Sequence, residues 1–91
     1  MTTVLVYHRV ADYDTWKAAY DRILAGPFAA DVRSHRIWRG QDDPNLVIVV
    51  ETYDSREIAE AAFTNPDLVP VIEAAGVDMS TVRIDYLDEM E

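Results

Sequence analysis

The segment Leu46 to Tyr53, LVIVVETY, is apolar on both faces of the strand it predicts. A strand of this kind is buried on both sides and lies in the middle of its sheet. Val4 to Val10, VLVYHRV, has the same character. Alternation puts Val4, Val6 and His8 on one of its faces and Leu5, Tyr7 and Arg9 on the other. Two central strands apolar on both faces need cover above and below the sheet, and this requirement governs the rest of the reading.

Elements that could give such cover follow each strand. Asp12 can cap a helix by accepting from the free N–H groups of its first turn, and Asp14 adds favourable charge there. Tyr13, Trp16, Tyr20, Ile23 and Leu24 recur at helical spacing, and Gly26-Pro27 ends the helix. Val32 to Arg39, VRSHRIWR, mixes polar and apolar residues and carries three arginines, as an edge strand protected from aggregation does. Gly40 to Asn45 is a turn by composition. After the second central strand, Asp54-Ser55-Arg56-Glu57 fits a capping box, with Ile58, Ala59, Ala62 and Phe63 facing inward. Asn65-Pro66 predicts a further N-cap with proline at the first helical position, and Pro70 predicts a kink or a non-helical first turn. Thr81 to Leu87 is the last strand.

The order βαββ(αα)β defines an α+β chain. Two right-handed crossovers around a hairpin give a ferredoxin-like, four-stranded antiparallel sheet with helices on one face. Residues 1–91 read as one domain, which buries roughly 60–65% of its unfolded surface. The helices cover one sheet face and no residues remain for the other. A homodimer through the open sheet face supplies the missing cover.

Phase along the strands assigns Val4, Val6, His8, Leu46, Ile48, Val50, Val82, Ile84 and Tyr86 to the helix-covered side. Val47, Val49, Glu51 and Tyr53 then fall on the open side, with Arg83 and Asp85, where their charges would pair across subunits. A one-residue slip inverts such an assignment.

Charge and residue inventory exclude several functions. Seventeen acidic residues against eight Lys plus Arg give a formal charge of −9, which repels nucleic acid and anionic membrane surfaces alike. The absence of cysteine removes thiolate chemistry and disulfides. The N-terminus has no signal-peptide pattern, so a cytoplasmic location is expected. His8 and His35 with scattered acids make no metal motif, and three unclustered glycines make no phosphate loop. No cofactor is called for.

His8 is the candidate catalytic residue, as a proton carrier at a strand's end. Trp16, Tyr20 and Phe63 are the candidate substrate-binding residues beside it, able to hold a planar aromatic ligand. Trp38 and Tyr53 could join them. His35 is expected in solvent. The alternative for His8 is a structural histidine hydrogen-bonded within a filled core, and for each aromatic it is plain core packing.

The strand ending in His8 and followed by ADYDTWKAAYD resembles the dimeric α+β barrel superfamily, as does the run from Pro44 through LVIVVETYDSREIAEAAFTNPDL to AAGV. That superfamily includes antibiotic-biosynthesis-monooxygenase-like and small polyketide-cyclase-like proteins, and the likeness is nearest to small bacterial proteins labelled cyclase-like. It implies two ferredoxin-like protomers with sheets back to back and a pocket between sheet and helices in each. It also implies a choice of activities: cofactor-independent oxygenation of polycyclic phenols, aromatic cyclisation, haem degradation or muconolactone-type isomerisation. The haem-degrading group uses an asparagine, a tryptophan and a helix-borne histidine. Both histidines here fall on predicted strands, so that site is not carried over. Two functional readings stand: a monooxygenase-like or cyclase-like enzyme of aromatic or polyketide-like compounds, and a non-catalytic ligand-binding or structural homodimer.

Overall fold

The computed structural model describes residues Met1–Glu91. Its elements are β1 (Thr2–Val10), α1 (Tyr13–Leu24), a 3-10 turn (Pro27–Ala29), β2 (Ser34–Arg39), β3 (Leu46–Tyr53), α2 (Arg56–Phe63), α3 (Leu68–Ala74) and β4 (Val77–Leu87). The strands form one antiparallel sheet in the order β2-β3-β1-β4, with the two doubly apolar strands in the centre. This is the expected ferredoxin-like arrangement. The β1–β4 ladder shifts register between Tyr7 and Arg9, where an irregularity carries β4 back to Val77, further than its apolar pattern predicts.

Local chemistry explains most element boundaries. The Asp12 carboxylate accepts from the Thr15 N–H at 2.9 Å and from the Thr15 hydroxyl at 2.7 Å, which fixes the start of α1. Ser55 caps α2 through Ile58 N–H at 3.2 Å. The third helical position is Ile58, so the cap stands alone and the expected capping box with Glu57 does not form. Asn65 does not cap α3. Its side chain accepts from Asp67 N–H at 3.0 Å, and the helix begins at Leu68. Pro70 therefore lies within the first turn, where its missing N–H has no helical partner to lose. Gly76 ends α3 with φ of 85°, a left-handed conformation that favours glycine. Gly40 is required for a different reason: a Cβ there would meet the Asp43 carbonyl oxygen at 2.4 Å.

The register of β1 against β3 decides which residues face the helices. His8 pairs with Val47, Val6 with Val49, Val4 with Glu51 and Thr2 with Tyr53. Directly paired residues share a face. Val47, Val49, Glu51 and Tyr53 therefore point toward the helices together with Val4, Val6 and His8, and all of these but Val6 are buried. Leu46, Ile48 and Val50 lie on the open side with Leu5 and Tyr7. This corrects the phase expected for β3. Leu46 to Val50 are apolar without interruption, so the pattern carries no phase of its own. It also removes Glu51 from any interface on the open face.

Candidate functional site

The Asp12 cap sets the rotation of α1, and with it the positions of Trp16 and Tyr20, one turn apart on the same stripe. Their rings stack at a centroid distance of 5.0 Å and an interplanar angle of 9°. Trp16 reaches His8, whose ring lies 5.5 Å away at 59°. Tyr20 reaches the other end of the covered face. Its hydroxyl donates to Glu51 Oε2, and Tyr53, two residues on in β3, donates to Glu51 Oε1 at 2.9 Å. Phe63 from α2 meets the Tyr53 ring edge-on at 6.0 Å.

Between sheet and helices lies a cavity of about 160 Å³. All four candidates, His8, Trp16, Tyr20 and Phe63, line it, as does Tyr53. Of its 21 lining residues 19 are hydrophobic, and the two exceptions are His8 and Glu51. Trp38 does not join them. It pairs with Ile48 on the open side and is 50% exposed. His35 lies on the covered side of the edge strand opposite Glu51, exposed to solvent, with its ring edge-on to Tyr20 at 6.1 Å.

The two polar groups differ in partnership. Glu51 is 7% exposed, and each of its oxygens accepts from a tyrosine. Burial first, and then the nearby Glu51 charge, push both tyrosine hydroxyls well above the ordinary phenol range, so both remain protonated donors. His8 is 4% exposed, and its Nδ1 is buried with no hydrogen-bond partner. Burial lowers the His8 pKa from its ordinary value of 6.5, an effect the Val6 carbonyl partly offsets, so the imidazole is neutral at pH 7. An unpartnered buried polar atom costs on the order of 1–3 kcal/mol, and the imidazole that carries it belongs to the cavity lining. No three His, Asp or Glu side chains converge as a metal ion would require.

Sequence reasoning missed Glu51 as a member of this site because β3 carries no phase. The signal that could have found it is internal. Glu51 and Tyr53 alternate on one face, and placing Tyr53 in the core forces the carboxyl in with it.

No protein-family model matches the chain, and no curated protein is similar to it in sequence. Solved structures are similar to it. SnoaB, a cofactor-independent oxygenase from Streptomyces nogalater, superposes with a TM-score of 0.77 at 17% identity, over 99% of this chain and 93% of that one. An antibiotic-biosynthesis-monooxygenase-like protein from Caulobacter crescentus gives 0.73 at 18% identity, over 99% and 90% of the two chains. Rv0793 from Mycobacterium tuberculosis gives 0.65 at 16%, over 100% and 97%. At these identities the likeness is one of fold. The chain has the α+β protomer fold seen in the antibiotic-biosynthesis-monooxygenase-like structures.

Proposed function

We propose that the cavity binds a small aromatic or polyketide-like molecule and that His8 moves a proton on it. The observation that carries this reading is the His8 side chain, buried and unpartnered at Nδ1, among the lining residues of a cavity whose one other polar lining residue, Glu51, is held by two tyrosines. A neutral imidazole accepts a proton from an acidic O–H or C–H of a ligand held against Trp16. That step opens cofactor-independent oxygenation, cyclisation and isomerisation alike. The likeness in fold to SnoaB, a cofactor-independent oxygenase, favours the first. In this reading residues 1–91 act as one unit, and a net charge of −9 argues against nucleic acid and membrane as partners.

Oxygen uptake and product formation, followed with small phenols, naphthols and 1,3-diketones, test the reading. A turned-over ligand raises the melting temperature of the parent, and His8→Ala lowers turnover by about 100-fold. Turnover unchanged in His8→Ala removes the proton-transfer role. Binding without turnover supports the second reading, a ligand-binding protein without chemistry.

A homodimer is part of the proposal. Leu5, Tyr7, Ile48 and Val50 make an apolar band on the open face, with Trp38 beside it half exposed. A second copy laid sheet to sheet covers that band. Light scattering at micromolar concentration should give twice the 10.3 kDa chain mass, and a monomeric mass sinks the dimer.

A further inference from the structure

We infer that the cavity selects an uncharged, single-ring ligand carrying one hydroxyl group, with the hydroxyl at His8. This rests on the pocket reading above and narrows it in size, charge and polarity.

Size comes from volume. A cavity of about 160 Å³ is close to the roughly 150 Å³ apolar cavity known to hold one benzene molecule. It accommodates one ring with a small substituent, and three fused rings would extend beyond it toward solvent. His8 and Glu51 also stand apart along the sheet. His8 pairs with Val47, and Glu51 is four residues further along β3, roughly 13 Å away along the strands. A single ring held at His8 therefore leaves Glu51 to its tyrosines.

Charge follows from the lining. No Lys or Arg lines the cavity, and its one acidic side chain already has both oxygens occupied. A buried carboxylate or phosphate on the ligand would find no counter-charge, and an ammonium would find no free acceptor on Glu51. Polarity follows from His8. A neutral imidazole has a donor on one ring nitrogen and an acceptor on the other, placed by its tautomer. A hydroxyl both donates and accepts, so it suits whichever ring nitrogen it meets, in either tautomer. The stacked Trp16 and Tyr20 offer an aromatic wall for the ring itself.

Calorimetric titration of the full chain with p-cresol, toluene, benzoate, benzylamine and a hydroxyanthraquinone tests all three features. Binding of p-cresol should exceed that of toluene, benzoate and benzylamine each by about ten-fold, the effect of one added hydrogen bond or one unpaired charge. The hydroxyanthraquinone should bind more weakly than p-cresol. In His8→Phe the preference for p-cresol over toluene should fall to about one-fold while toluene still binds. Equal binding of p-cresol and toluene by the parent overturns the assignment of the hydroxyl to His8. Tighter binding of benzoate or benzylamine overturns the charge selection. Preference for the three-ring compound overturns the size limit and leaves the pocket reading standing. No binding by any compound removes both.

Discussion

One end of the cavity is closed by its own hydrogen bonds and the other is left open. Glu51 is buried, but Tyr20 and Tyr53 occupy both its oxygens. His8 is buried to the same degree, and its Nδ1 has nothing. The comparison shows that burial of a polar group does not by itself mark function. A buried group whose partners come from the fold serves the fold, and a buried group that lacks them is available to something else. One helix turn joins the two ends, since Trp16 touches His8 and Tyr20 touches Glu51.

The largest effect should come from opening the closed end. Glu51→Ala strands two tyrosine hydroxyls in an apolar interior and leaves a void, and chemical denaturation should show a loss of about 3 kcal/mol. Glu51→Gln keeps an acceptor for one hydroxyl and should cost about 1 kcal/mol. Glu51→Ala within about 0.5 kcal/mol of the parent would abolish the distinction between the two ends.

A smaller effect belongs to the open end and appears with pH. His8 has its pKa lowered in the fold, so below about 6.5 the unfolded chain takes up a proton that the folded chain resists. The His8 contribution is complete above that pH and is lost as pH falls toward the folded-state value, at no more than about 1.4 kcal/mol per pH unit. The lowered Asp12 and Asp54 carboxyls contribute above about 3.8 and lose that contribution only at more acid pH, so they do not affect this window. His8→Phe should remove the decline that starts at 6.5. At neutral pH it should leave stability unchanged or raise it by up to about 1 kcal/mol, the smallest change of the set. A substantial loss in His8→Phe at neutral pH would make His8 a structural group and erase the contrast with Glu51.

Much of this architecture can be read directly from residues. Asp12 and Ser55 announce their helices, Gly76 announces an end, and two doubly apolar strands announce the centre of the sheet. The phase of β1 is legible because Arg9 and His8 break its symmetry. The phase of β3 is not, because its apolar run looks alike from either side and only pairing with β1 fixes it. That single ambiguity hid half of the site's polar chemistry. Helix α3 starts later than Asn65-Pro66 suggests for a local reason: Asn65 spends its side chain on a turn before the helix begins, and Pro70 is then admitted to the first turn.

The sheet divides the chain's two tryptophans between its faces. Trp16 is buried against His8 in the cavity wall, and Trp38 stands half exposed on the opposite side. Intrinsic fluorescence therefore holds two separable channels in one small chain. Quenching or a spectral shift from Trp16 reads occupancy beside the imidazole, and accessibility of Trp38 to a soluble quencher reads whether the far face is covered. Replacing either tryptophan with phenylalanine isolates the other, so ligand uptake and self-association can be followed independently without any added label.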